Sequence, residues 1–134
     1  MISFGYFDET SEELFNKVMN VNVNSVVIGC LEMQPLLDKS TRGLIVNIAS
    51  IFGLITMPMI TPYYASKFSV KGFTEALKQD MMYSNKNVDV ICVILGVIRT
   101  NIANSAETEV AKPTVANHFD SAARTSPTKA RSGH

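Results

Sequence analysis

The chain has 134 residues, 46% of them hydrophobic, and its 12 basic residues balance its 12 acidic ones. This length predicts one domain, and the even charge balance gives no indication of nucleic-acid binding. No apolar run approaches the roughly 20 residues that span a bilayer, and the N-terminus lacks the basic and apolar regions of a signal peptide. We therefore expect a soluble, cytoplasmic protein without a transmembrane segment.

The cysteines and histidines are too dispersed to suggest a metal centre. Cys30 and Cys92 fit no CxxC spacing, and His118 and His134 lie in polar sequence near the C-terminus. Two buried, reduced thiols are expected in preference to a disulfide. No metal site is predicted.

The N-terminal part of the sequence predicts two helices. In the stretch TSEE, Thr10 and Glu13 fit a capping box at the start of the first helix. Leu14 and Val18 then recur at helical spacing. A second helix is predicted over residues 23–37, with a proline near its end that should bend or stop it.

The middle of the chain predicts a strand, a helix and a second strand. Residues 44–49 are nearly all apolar and rich in β-branched side chains, which favours a strand covered on both faces. A helix is predicted over 63–83 and a second buried strand over 88–95. This order indicates an α/β fold with two parallel strands and a right-handed crossover. Residues 121–134 are small and polar and are expected to form a flexible tail.

This topology places several polar side chains at one edge of the sheet. In open α/β sheets, ligands bind beyond the carboxyl ends of the strands. Ser50 ends the first strand, Thr100 follows the second, and the helix that begins with Tyr63 starts at the same edge. Lys67 lies four residues after Tyr63, so both occupy one helix face. The ammonium should lower the tyrosine pKa from about 10 towards neutrality, as a general acid requires.

Each of these residues also has an ordinary structural interpretation. Tyr63 could be a half-buried tyrosine beside an unrelated surface lysine, and Ser50 and Thr100 could each cap a turn. Asn22 could be a helix-break residue bonded to backbone. Taken singly, these interpretations are the commoner ones, whereas the convergence of the residues on one edge favours a catalytic site.

The motifs around these residues resemble the short-chain dehydrogenases/reductases over about residues 5–128. NVNVNSVVIG resembles the helix that carries the catalytic asparagine of that family, which falls here on Asn22. GLIVNIASIFG resembles the strand with the catalytic serine, which falls on Ser50, thirteen residues before Tyr63. The Y-x-x-x-K motif falls on Tyr63 and Lys67.

A fourth motif implies cofactor contacts after the second strand. ILGVIRT resembles the P-G-x-V-x-T segment that holds the nicotinamide end of the cofactor, which places Gly96, Ile98 and Thr100 at that site. Leu95 stands where the family usually has proline. The resemblance also implies that residues 1–120 are part of a Rossmann-like, doubly wound parallel sheet.

The resemblance implies a mechanism in which hydride passes between NAD or NADP and a carbonyl or alcohol carbon. Tyr63 transfers the proton, Lys67 lowers the pKa of Tyr63 and binds the nicotinamide ribose, and Ser50 hydrogen-bonds the substrate oxygen. Asn22 holds a water that links Lys67 to a proton path. The implied partners are a small-molecule carbonyl or alcohol and further copies of the chain, bound through the helices near 23–37 and 63–83.

One part of the family pattern is missing from the sequence. The glycine-rich turn that cradles the cofactor pyrophosphate has no counterpart, because no two of the seven glycines lie closer than ten residues. The residue that selects NAD or NADP is also missing, and the chain is expected to open where the fourth strand of a full family member would have finished. This leaves three hypotheses open: an oxidoreductase, an inactive module that pairs with other chains, and a fragment that does not fold alone.

Overall fold

The computed structural model describes residues 1–96 and residue 106. A short 3₁₀ turn, Phe7–Glu9, precedes the main elements. In chain order these are α1 (Glu12–Met19), a π-helical turn (Asn20–Asn24), α2 (Ser25–Leu37), β1 (Gly43–Ser50), a 3₁₀ turn (Ile51–Gly53), α3 (Thr61–Tyr83) and β2 (Val88–Leu95). Ile98, Thr100 and the tail predicted at 121–134 lie outside the described residues.

The two strands form a parallel pair joined by α3, which confirms the predicted α/β fold. Gly43 lies opposite Val88 and Ser50 lies opposite Leu95. Because parallel strands point the same way, their carboxyl ends meet at one edge of the sheet. α3 follows β1 through a short connection, so its N-terminus lies at that edge too. This is where the predicted site residues converge.

β1 is covered on one face only, which corrects the prediction of a strand buried on both faces. The covered face packs against α2 and α3: the Asn47 side-chain amide donates to Thr74 Oγ1 of α3 at 3.1 Å and lies 3.8 Å from Cys30 Sγ of α2. Both helices therefore lie on the same side of the sheet, and the described residues provide no cover for the other side. The apolar side chains on that other face are about half exposed: Leu44 (57%), Val46 (48%) and Ile48 (54%).

α1 and α2 form one continuous helical rod instead of two separate helices. The rod passes through the π-helical turn Asn20–Asn24 without leaving helical backbone geometry. Its N-terminal cap is Ser11, not Thr10 as predicted: Ser11 has an extended backbone, and its Oγ accepts from Leu14 N at 3.1 Å. Ser11 Oγ therefore satisfies one of the free N–H groups of the first turn.

α3 begins two residues earlier than predicted. Pro62 lies in its first turn, where the missing N–H of proline would have no helical partner anyway. Val70 and Met81, two of the predicted packing positions, are buried, whereas Phe68 is 43% exposed. The helix thus presents an incompletely covered surface at its N-terminal half.

Two clusters of buried side chains hold these elements together. One lies beneath the sheet, and the other surrounds the start of α3. Cys30 and Cys92 are free thiols and are half-buried, not fully buried as predicted. Within residues 1–96 and 106, no group of three or more metal-ligating side chains occurs, and no helix is long and apolar enough to cross a membrane. The cluster at the start of α3 consists of Ile2, Phe4, Phe52, Ile60, Tyr63, Tyr64 and Ala106.

Candidate active site

Ser50 caps the turn that follows β1 and also bonds Tyr63. Its Oγ accepts from Phe52 N at 3.2 Å, as expected for a serine that begins a short helical turn. Its hydroxyl also forms a hydrogen bond with the Tyr63 side chain. The structural and the catalytic interpretation of Ser50 are therefore compatible.

Tyr63 is buried, and its pKa moves in the direction opposite to the prediction. Only 6% of the residue is exposed. Burial raises the pKa of the Tyr63 phenol above its usual value, because the charged phenolate loses hydration, and the hydrogen bond with Ser50 opposes this rise. The expected lowering towards neutrality is thus wrong for this structure. At neutral pH the phenol is protonated and can donate a proton.

Lys67 lies over the ring of Tyr63 and not beside its hydroxyl. Lys67 Nζ is 5.7 Å from the ring centroid, within the range of a cation–π contact. This position explains why the lysine does not dominate the pKa of the tyrosine. Burial lowers the pKa of Lys67 itself, because the ammonium is also deprived of water.

Asn22 lies within the π-helical turn, and its side chain is hydrogen-bonded to backbone. Its Oδ1 accepts from Met1 N at 2.9 Å, and its Nδ2 donates to Met1 O at 2.8 Å. Asn22 therefore makes the hydrogen bonds to backbone that its ordinary structural interpretation predicts. The charge of Lys67 contributes to lowering the pKa of the Met1 amine, after burial, so Asn22 and Lys67 approach the same region.

Ser66 connects Asn22 to α3 and was missed in the sequence. It is fully buried, accepts from Asn22 Nδ2 at 2.9 Å and donates to Tyr63 O at 2.7 Å. Because a backbone carbonyl can only accept, the single hydroxyl proton of Ser66 is used there, and Ser66 can only accept from Asn22. The one available signal was a small polar residue between Tyr63 and Lys67.

Aromatic side chains enclose the start of α3. The Phe52 ring meets the Tyr63 and Tyr64 rings edge-on, at centroid distances of 6.2 and 5.4 Å. The Tyr64 hydroxyl is buried, and no partner with hydrogen-bond geometry is present among the residues that the structure describes. Burial raises the pKa of Tyr64, and the nearby Met57 backbone opposes this only in part.

The structure brings together four of the seven predicted site residues. Ser50 and Lys67 each contact Tyr63, and Asn22 is joined to the Tyr63 backbone through Ser66. Gly96 follows β2 at the same edge, and none of the residues that the structure describes lies within 4 Å of where its β-carbon would be. Ile98 and Thr100 are outside the described residues, so their predicted cofactor contacts stay predictions.

The sequence model of the family described as "short chain dehydrogenase" matches residues 1–111. A protein of Mycobacterium tuberculosis that carries the name oxidoreductase SadH is 40% identical over 102 residues, which are 76% of this chain and 37% of that protein. The chain thus spans less than half the length of this relative.

Solved structures show the same fold. A short-chain dehydrogenase/reductase from Burkholderia phymatum, crystallised with NAD, superposes with a TM-score of 0.82 at 26% identity, covering 92% of this chain and 48% of that one. A 4-hydroxyisoleucine dehydrogenase in complex with NADH superposes with a TM-score of 0.68 at 31% identity, over 74% of this chain and 43% of that one. Because the family match covers most of the chain and the folds agree, the chain belongs to the short-chain dehydrogenase/reductase family.

Proposed function

We propose that the protein is an NAD- or NADP-dependent oxidoreductase that interconverts a carbonyl and an alcohol, with Tyr63 as the proton-transferring residue. One observation carries the proposal. The buried Tyr63 phenol forms a hydrogen bond with Ser50, and its ring lies under the ammonium of Lys67, at the edge of the sheet where ligands bind. Solved relatives with bound NAD and NADH support the choice of cofactor class.

The environment of Tyr63 suits an acid that must first hold and then release a proton. Burial keeps the phenol protonated in the resting site. In the reductive direction Tyr63 donates that proton to the carbonyl oxygen as the carbon receives hydride, and in the oxidative direction it takes the proton back. The Ser50 hydroxyl favours the phenolate that forms, because a hydrogen bond to the phenolate oxygen stabilises its negative charge.

The residues present fit the nicotinamide end of such a cofactor. Lys67 offers three N–H donors and Tyr63 a hydroxyl, which match the hydroxyl groups of a ribose. Gly96, Ile98 and Thr100 would hold the adjoining nicotinamide after β2. When bound, the cofactor supplies or accepts the hydride. The 134 residues contain no glycine-rich turn for its pyrophosphate, so the residues assigned here account for one end of the cofactor only.

The first experiment tests cofactor binding and the role of Tyr63 separately. NADH and NADPH fluorescence is measured with the 134-residue chain at up to millimolar cofactor, and turnover is followed with a panel of ketones. We expect Tyr63→Phe to lower turnover by about 10²–10⁴-fold, the usual contribution of a general acid, while cofactor binding stays near normal.

Tyr64→Phe is the matched control, because it removes the neighbouring hydroxyl without touching the proposed acid. It should retain turnover. Undiminished turnover in Tyr63→Phe would remove the role assigned to Tyr63, and no fluorescence change with either cofactor would refute the proposal for this chain.

We also propose that α2 and α3 pair with a second copy of the chain. On α2, Ile28 and Leu31 are 56% and 66% exposed, and on α3 Met82 is 62% exposed. Burying such side chains between copies removes apolar surface from water. Leu31→Glu should shift the protein towards monomer in sedimentation velocity, whereas Asn16→Glu, an equal charge change on α1, should not. A Leu31→Glu protein with an unchanged sedimentation profile would exclude this interface.

A further inference from the structure

The Ile51–Gly53 turn, which directly follows Ser50, lies closer to α3 than any side chain at its last position would allow. A β-carbon built on Gly53 would lie 2.8 Å from the Lys67 carbonyl oxygen and 3.2 Å from the Lys67 carbonyl carbon. Both atoms belong to helix backbone, which cannot move aside as the end of a flexible side chain can. Glycine is the residue that permits such a close backbone approach.

The same turn contacts α3 at a second point. Phe52 is buried, and its ring meets the Tyr63 ring edge-on. The Phe52 N–H also donates to Ser50 Oγ. Ser50 therefore lies between β1 on one side and, on the other, a turn that is itself packed on α3 at Tyr63 and Lys67.

We propose that Gly53 is a positioning residue, which lets the Ile51–Gly53 turn lie against the Lys67 backbone and so keeps the Ser50 hydroxyl within hydrogen-bond reach of Tyr63. Any side chain at this position moves the turn away from α3 and carries Ser50 with it. This role matters for catalysis only if the protein is the oxidoreductase proposed above, in which Ser50 and Tyr63 act together. Gly72 of α3 provides the contrast, since a β-carbon there would meet no atom of residues 1–96 or 106 within 4 Å.

The test is the titration of Tyr63 by ¹³C NMR of protein labelled at the tyrosine Cζ atoms, with Tyr63→Phe identifying the signal. Ser50→Ala should raise the pKa of Tyr63, because it removes the hydrogen bond that lowers it. In a Gly53→Ala protein, Ser50→Ala should have no further effect on that pKa, since the bond is already lost. In a Gly72→Ala protein the full upward shift should remain. Such a cycle isolates the coupling between two sites from the general effect of each change.

Two results would overturn the proposal: a full Ser50→Ala shift in the Gly53→Ala protein, or no shift in the parent protein. If Gly53→Ala does not fold while Gly72→Ala does, Phe52→Leu takes its place in the cycle. That change weakens the packing of the turn without a clash. Loss of the Ser50 effect then supports the positioning role of the turn and of Gly53, and its retention overturns it.

None of these titrations requires turnover, so the two proposals fail separately. A chain that shows the expected coupling at Tyr63 but neither binds nor oxidises NADH would refute the oxidoreductase function and leave the geometric role of Gly53 intact. If the chain shows turnover but Ser50→Ala shifts the Tyr63 pKa equally in the parent and in the Gly53→Ala protein, the positioning role of Gly53 is refuted and the oxidoreductase function stands.

Discussion

Ser66→Ala is expected to destabilise the protein because it removes the hydrogen bond that joins Asn22 to α3. Asn22 Nδ2 would lose a buried acceptor at 2.9 Å, and an unpaired buried donor costs about 1–3 kcal/mol. Alanine recovers about 0.5 kcal/mol through its higher helix propensity. The net loss in the free energy of unfolding is therefore about 0.5–2.5 kcal/mol, measured as the shift of a cooperative urea transition.

Ser69→Ala is the matched control one helical turn away. Its hydroxyl donates to Ala65 O at 2.7 Å and is only partly buried, so the change should cost close to nothing. Asn22→Ala should in turn make Ser66→Ala nearly harmless, since the donor that Ser66 satisfies is then absent. Equal stabilities of Ser66→Ala and Ser69→Ala would show that the bond to Asn22 contributes nothing.

Two further changes test the electrostatics of the site. Tyr64→Phe should leave the free energy of unfolding unchanged or raise it by up to about 1 kcal/mol, because the buried hydroxyl has no partner with hydrogen-bond geometry among the described residues. A lower free energy of unfolding in the same urea transition would contradict this and show that the hydroxyl has a partner. Lys67→Met should raise the melting temperature at pH 7, by a few degrees for about 1 kcal/mol, since a half-buried ammonium is removed. The difference in melting temperature between Lys67→Met and the parent should shrink as pH rises towards about 10.4. The folded parent loses the lysine proton before the unfolded chain does, so the parent becomes more stable over this range. A difference in melting temperature that stays constant from pH 7 to 10 would contradict the burial effect.

The two strands and α3 could be predicted because each follows from the pattern of apolar and polar residues within its own segment. β2 begins and ends at the predicted residues, and α3 differs only by the two residues that Pro62 adds to its first turn. Partial cover of β1 could not be predicted, because an apolar strand does not reveal how many of its faces the chain covers. The cap at Ser11 differs from the predicted one by a single residue, a distinction set by local backbone angles.

The proximity of Ser50, Tyr63 and Lys67 could be predicted from the sequence, but the direction in which the pKa of Tyr63 moves could not. The four-residue spacing of Tyr63 and Lys67 places both on one helix face, but it does not say whether the ammonium lies beside the hydroxyl or over the ring. Only the structure gives the burial that raises the pKa of Tyr63. Ser66 and Gly53 were missed because their roles depend on Asn22 and on the Lys67 backbone, partners that lie far from them in the chain or across a turn.

The π-helical turn Asn20–Asn24 has a consequence for anyone who redesigns the rod. A π turn holds one more residue than an α turn, and each residue rotates a helix by about 100°. Deleting one residue in this segment would restore regular α winding and leave the Cys30 side of α2 facing the sheet, whereas deleting one residue from the regular part of α1 would rotate α2 by about 100°. Grafted or shuffled versions of this protein should therefore conserve the lengths of α1 and α2 first, because the π-helical segment can lose one residue without turning either helix.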